Sequence, residues 1–255
     1  MIRAAALLLA LALASAQTRA CPPPAPELLL HSCRTEARAR AILLPEDPLP
    51  EPARPALVVT GAYTATDARA GGLAKPVGLF VHGGEVVNPN LARMDGILVI
   101  EPETGALRLH HRARVPLRAE TFDLRELGER RAFAEAARRA GLSVLQSHLL
   151  VVDGRVDAQP VEGAPSAVRR LLFTDGAGYG LWQSPRPMTL HEAAEALAAA
   201  HAPRMALNLD MGGHDYCWRL APDGARSCGL LGRGETGALS NLLAFEVAHR
   251  DASAR

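Results

Sequence analysis

The chain has 255 residues, 48% of them hydrophobic and 22% charged, with a formal net charge of +1. That composition excludes a disordered polyelectrolyte and predicts a packed globule. Charges of both signs are interspersed with no basic stripe, which argues against a nucleic-acid partner.

At the N-terminus, Arg3 precedes an apolar run from Ala4 to Ala14, which ends in the small residues Ala14-Ser15-Ala16. A charged start, an apolar middle and an A-x-A end predict a cleavable signal peptide within residues 1–20, and so a periplasmic or secreted protein. The rival, a buried helix of a cytosolic protein, gives no reason for that order. A second cut after Ala20 would leave Cys21 at the new N-terminus and keeps lipidation open, although Arg19 stands where lipoprotein signals carry a small or aliphatic residue. The apolar run is too short to span a bilayer and no later segment reaches that length, so the mature chain is expected to be soluble. About 235 residues remain, enough for one large domain or two small ones.

Next comes a proline-rich N-terminal segment, residues 21–55, ahead of a domain covering 56–255. Residues 22–26 and 45–55 read as extended connectors, with a strand candidate from Ala37 to Leu44 between them. Ala56 to Val59 is a short buried-strand pattern, and Tyr63 to Lys75 reads as a loop. Hairpins are expected around Gly83-Gly84, Pro102 to Gly105, Asp153-Gly154 and Asp175 to Gly178, each turn lying between apolar runs. Asp123 and Glu126 have capping-box spacing and predict a helix closed by Gly141; Thr189 and Glu192 predict a second helix to about Ala200. A third helix is expected from Ser240 to Arg250, with Leu242, Leu243 and Phe245 on its apolar face. Strands and helices mixed without strict alternation predict an α+β fold, with largely antiparallel sheets, hairpins and about three helices.

Four cysteines follow the signal: Cys21, Cys33, Cys217 and Cys228. An even number in an exported chain predicts two disulfides, and local pairing, Cys21–Cys33 and Cys217–Cys228, is the most economical of three connectivities. A hairpin with Pro222 and Asp223 at its tip places residue 217 opposite 228, within disulfide reach. A bulged turn at Gly224 would slip that register by one. Zinc is the rival, without a C-x₂-C pair to support it.

The stretch Met205 to Asp215 carries the chemistry. Met205 to Leu209 reads as a buried strand that ends at Asp210, with Gly212 and Gly213 just beyond. A carboxylate there suits acid/base work or cation binding; the plainer alternative is a turn aspartate accepting backbone N–H groups.

Here the sequence resembles the phosphodiester glycosidase family, which includes the lysosomal enzyme that uncovers mannose 6-phosphate and exported bacterial proteins related to exopolysaccharide. The family's run is Ala-Leu-Asn-Leu-Asp-Gly-Gly-Gly-Ser, after a helix that opens Met-Thr-Leu. In this chain Met188-Thr189-Leu190 opens the helix and Ala206 to Gly213 matches the run, with Met211 for the first glycine and His214 for the serine. Four further blocks follow the family's order. Thr60-Gly61-Ala62-Tyr63 is similar to its Asn-Gly-Gly-Phe-Phe block, and Pro76 to Leu79 with Gly84 to Val87 is similar to its P-x-G-L hairpin. Gln146-Ser147-His148-Leu149 stands for Q-S-G-P, and Arg169 for the arginine that opens the next strand.

The resemblance, covering residues 56 to 215, implies a mixed α+β glycosidase-like fold acting on sugars linked through phosphate. On that reading Asp210 is the catalytic acid/base or holds a divalent cation, the one cofactor the chemistry leaves room for. Arg169 would pair with the phosphodiester, although the local pattern alone favours a solvated or ion-paired strand arginine. Thr60, Gly61, Tyr63, Gln146, Ser147, Asn208, Gly212, Gly213 and His214 would contact substrate. For Gln146 and Asn208 a structural hydrogen bond is the alternative, for Tyr63 a half-buried core position, and for His214 a surface position. The partner expected is therefore a carbohydrate or sugar phosphate. Loss of the family's first asparagine at Thr60 and of Gly-Pro at His148-Leu149 keeps two other readings open, a periplasmic glycan-binding protein without activity and a disulfide-stapled structural partner.

Overall fold

In the Cys217–Ala221 and Gly224–Ser227 hairpin, Trp218 faces Ser227 and Ala221 faces Gly224. That register sets Cys217 against Cys228; the Cys228 N–H donates to the Cys217 carbonyl at 2.8 Å, and the two form a disulfide with 4.8 Å between their Cα atoms. Cys21 and Cys33 form the other, so the described residues hold no free cysteine. This computed structural model describes residue 21 and residues 25–33, 37–50, 55–67, 72–221 and 224–247. The expected signal peptide, most of the 22–26 proline run, residues 51–54, the Pro222-Asp223 tip and the residues after 247 lie outside them.

Three larger sheets and two small hairpins make up the architecture, and every pair of strands among the described residues is antiparallel. A six-stranded sheet runs in the order Leu28–His31, Tyr179–Gln183, Arg170–Thr174, Met205–Asn208, Leu149–Val152, Arg155–Val156. A five-stranded sheet, the Ser143 sheet, runs Glu85–Asn88, Phe80–His82, Ser143–Ser147, Gly96–Ile100, Leu107–His111. The second five-stranded sheet, the disulfide sheet, runs Gly224–Ser227, Cys217–Ala221, Pro55–Thr60, Asn241–Val247, Ala37–Leu43. Strands from residues 28–43 thus join two of the larger sheets.

One core, with Leu43, Val59, Phe80, Leu98, Leu207 and Leu243 in it, draws on all three larger sheets. Helix Leu127–Arg139 buries Phe133 and Ala137 against the Ser143 sheet. Helix Leu190–His201 lays Ala193, Ala194 and Leu197 on Leu171, Phe173 and Ala206 of the six-stranded sheet. Each large side chain so buried contributes roughly 1.5–3 kcal/mol. The expected hairpins form. At Gly83-Gly84 the turn needs glycine: both residues have positive φ, and a Cβ on Gly84 would strike the Arg138 carbonyl.

The α+β expectation is corrected: the fold is β-rich with two α-helices among the described residues, not about three. The error lies at Ser240–Arg250, where Asn241–Val247 is a strand between Pro55–Thr60 and Ala37–Leu43. Residues 241–245 are buried in succession, so the strand shows no alternation, and a continuous apolar run cannot tell a central strand from a buried helix. The expected Tyr63–Lys75 loop instead contains a hairpin, Thr64–Asp67 with Leu73–Pro76. The second capping box forms as read, Thr189 with Glu192. The first does not: Asp123 turns its carboxylate to Arg125, and the helix starts at Leu127 without a side-chain cap.

Candidate functional site

Strand Met205–Asn208 runs through the middle of the six-stranded sheet and delivers Asn208, Leu209 and Asp210 to its end. The Asp210 N–H donates to the Gly61 carbonyl at 3.0 Å, which ties this end to the disulfide sheet. Its carboxylate, 6% exposed, accepts N–H groups from Thr64 at 3.0 Å and Met211 at 2.9 Å. The Oδ2 atom also lies 3.2 Å from His214 Nδ1. Burial raises the affinity of Asp210 for a proton; the Thr64 N–H, His214 and the Met211 N–H oppose that rise. A short 3-10 turn, Gly212–His214, carries the histidine back over the carboxylate, with Gly212 at φ +70°. Both glycines of the turn are exposed, and a Cβ on either would meet nothing within 4 Å, so the backbone faces open space.

Beside this pair, Asn208 Nδ2 donates to the Tyr63 hydroxyl at 2.5 Å and to the Leu209 carbonyl at 3.0 Å. The Asn208 Oδ1 is buried and has no hydrogen-bond partner among the described residues. Burial pushes the Tyr63 hydroxyl up, the Asn208 bond lowers it, the Asp210 charge raises it and Arg169 lowers it. Tyr63, Asp210 and Arg169 therefore share one electrostatic neighbourhood. Partial burial lowers Arg169, and Tyr63 raises it. Backbone carbonyls hold the Arg169 guanidinium, Met188 at 2.9 Å and Pro165 at 2.6 Å. The ring of His148 meets Tyr63 edge-on, 5.7 Å between centroids.

The structure thus brings Asp210, His214, Asn208, Tyr63 and Arg169 together beside Gly212 and Gly213. Four other residues expected to touch substrate lie behind them as buried supports. Thr60 donates its hydroxyl to the His214 carbonyl at 2.5 Å and accepts the Tyr216 N–H at 3.0 Å. Gly61 leaves room for Asn241, whose amide clasps both the N–H and the carbonyl of Ala62. Gln146 is fully buried; it accepts N–H groups from Leu79 and Ala92 and donates to the Met94 carbonyl. Ser147 donates to the Asn208 carbonyl at 2.5 Å. Among the described residues no three His, Cys, Asp or Glu side chains gather as a metal-holding group, and the Asp210 oxygens are already engaged, so the arrangement does not fit a preformed cation site.

Sequence reasoning missed a buried ion pair under the turn. Arg170, not Arg169, is fully buried; its guanidinium donates to Asp215 Oδ1 at 3.0 Å, to Gln183 Oε1 at 2.6 Å and to the Tyr216 carbonyl at 3.3 Å. The signal was an arginine at the first position of a buried strand, since a cation that begins an apolar run needs an internal partner. A cleft of about 730 Å³ lies elsewhere, lined by Pro45, Leu73, Val87 and Leu239 among others, and by neither Asp210, Tyr63, Asn208 nor Arg169.

No family model matches the chain, and a comparison with curated proteins found no match. Among solved structures it is similar to the zebrafish N-acetylglucosamine-1-phosphodiester alpha-N-acetylglucosaminidase catalytic domain auto-inhibited by its pro-peptide. The TM-score is 0.48 and the identity 12%, over 85% of this chain and 74% of that one. So slight a likeness assigns neither a family nor an activity. The two disulfides fit a protein of an oxidising compartment. Among the described residues no helix is long and apolar enough to cross a membrane.

Proposed function

We propose that the chain is an exported hydrolase that cleaves a sugar-1-phosphate diester in an envelope or extracellular polysaccharide, with Asp210 as its acid/base. The observation that carries this reading is the Asp210–His214 contact at 3.2 Å, under an exposed two-glycine turn and beside Tyr63 and Arg169. A buried carboxyl with raised proton affinity holds and releases a proton closer to working pH than an exposed aspartate does. Water attacks the anomeric carbon as the bond from that carbon to the phosphate oxygen breaks, Asp210 takes the proton from the water, and the phosphate leaves as a monoester whose charge Arg169 faces. The buried Asn208 amide donates to the half-buried Tyr63 hydroxyl and would hold it toward the sugar. Support for the substrate class comes from the order of the sequence blocks that resemble phosphodiester glycosidases, and support for export comes from the N-terminal pattern and the disulfides.

The test is release of sugar from an N-acetylglucosamine phosphodiester, followed by mass spectrometry. Asp210→Asn should lower turnover roughly 10²- to 10⁴-fold while the chain still folds. Full activity in that variant would remove Asp210 from the chemistry. A second reading, glycan binding without cleavage, is favoured by Met211, whose side chain is buried where the family run has its first glycine. Saturable binding of the same sugar phosphate with no product would support it.

A further inference from the structure

At the other end of the Met205–Asn208 strand the molecule carries an open groove of about 470 Å³. One wall is the Leu107–His111 strand, at the edge of the Ser143 sheet; the other comes from the Asp153 and Asp175 turns and from Arg204. At about 3.3 Å per residue, Arg204 stands on the order of 20 Å from Asp210. The groove is therefore separate from the proposed catalytic centre and does not depend on that assignment.

Charge in the groove is unbalanced. Arg108, Arg114 and Arg204 line it. Arg108 shares a mostly exposed ion pair with Glu101 at 3.2 Å. The side chains of Arg114 and Arg204 are exposed and make no hydrogen bond or ion pair among the described residues. Of the two lining carboxylates, Asp175 is spent internally. It accepts the Ala177 N–H at 2.7 Å and the Gly178 N–H at 2.9 Å, and its other oxygen lies 3.1 Å from His31 Nε2. Asp153 alone remains against the two unpaired guanidinium groups of Arg114 and Arg204. Between the charges, Pro116 is exposed and Val152 and Met205 are half-buried, an apolar surface that suits the C–H face of a sugar ring. Burial and the Arg108 charge lower His110 to about 4, so its ring is neutral, and its Nε2 lacks a hydrogen-bond partner.

We propose that this groove binds a segment of an anionic glycan, with Arg114 and Arg204 holding a phosphate or carboxylate substituent and Pro116, Val152 and Met205 packing against a ring. Guanidinium forks match both oxyanions bidentately. The volume lies within the range of built ligand sites and is too large for a single inorganic anion. A net charge of +1 without a basic stripe does not suit a nucleic-acid backbone.

The experiment is titration calorimetry of the full mature chain with tetragalacturonate, phosphorylated mannopentaose and neutral maltotetraose, alongside inorganic phosphate and oligothymidylate. At least one of the two anionic oligosaccharides should bind, and which one identifies the oxyanion. The double variant Arg114→Ala/Arg204→Ala should weaken that binding about tenfold or more with an unchanged melting temperature. Asp210→Asn should bind as the wild type does, which separates failure here from failure of the hydrolase reading. In histidine NMR titrations the bound anion should raise His110 from its low starting value, because a nearby negative charge favours the imidazolium. Equal binding of maltotetraose, equal binding of oligothymidylate, full affinity in the double variant, or no binding of either anionic oligosaccharide would each overturn the proposal.

Discussion

Asp210 and Asp215 bracket the same glycine turn and both are almost wholly buried, yet their surroundings differ in kind. Asp215 faces Arg170, a permanent cation with no access to water, and takes the Leu230 N–H on its other oxygen at 3.3 Å. Asp210 faces His214, an imidazole whose side chain is 33% exposed, and shares its surroundings with Tyr63. A carboxylate against a permanent buried cation fixes the chain. One against a titratable partner at the surface can exchange a proton. Sequence distance and burial are alike; the partner separates a structural from a chemical role.

The sharpest way to break this contrast is to remove the permanent cation. Arg170→Met leaves the Asp215 carboxylate buried without its partner and should cost about 3–5 kcal/mol. For a chain of this size that is a fall in melting temperature on the order of 10 °C, read by calorimetry. The double variant Arg170→Met/Asp215→Leu should recover part of the loss, because an apolar pair needs no compensating charge. If Asp215→Asn instead removed activity at unchanged stability, Asp215 would belong to the chemistry and the contrast would fail.

A smaller effect is expected at the clamp between the two carboxylates. Thr60→Val keeps shape but removes the hydroxyl that joins the His214 carbonyl to the Tyr216 N–H. The His214 carbonyl and the Tyr216 N–H keep their own 2.8 Å hydrogen bond, so the loss should cost about 0.5–1.5 kcal/mol. Since the clamp holds the backbone of His214, turnover should fall as well, chiefly in kcat; stability loss with normal turnover would show that the turn keeps its shape without it.

Local rules made parts of this arrangement legible in the sequence. A two-residue loop sets the Cys217–Cys228 register, and Thr189 with Glu192 marks a helix start from side-chain reach alone. Asp210 at a strand end needs only an apolar run and the glycines after it. What escaped depends on which layer covers a residue. Residues 241–245 are buried in succession, and Asn241–Val247 is hydrogen-bonded along both edges by strands from residues 37–43 and 55–60, so its strand identity is a tertiary fact. Gln146 and Ser147 have the polarity of a sugar site, but their partners, the Ala92–Met94 backbone and the Asn208 carbonyl, lie more than fifty residues away in sequence. Arg169 and Arg170 differ only in the face each presents. The pairing of Leu171 with Asn208 settles which one is sealed inside.

The smallest effect is the most specific to the contrast. Folding raises the proton affinity of Asp210 by burial, above an unfolded value of about 3.9. The folded state therefore binds the proton more tightly. The stabilisation that this proton confers is fully present below the unfolded value, and it is lost as pH rises through the higher folded one. Melting temperatures of the wild type and of Asp210→Asn, compared across that window, should diverge with the wild type gaining as pH falls. The comparison cancels the titrating groups that do not touch Asp210; His214, 3.2 Å from it, is read separately by NMR in both proteins. A wild type that instead lost ground on acidification would mean that His214 and the two N–H donors outweigh burial and keep Asp210 ionised. Asp210 would then stand with Asp215 as a structural anion, and the acid/base role would have to pass to His214.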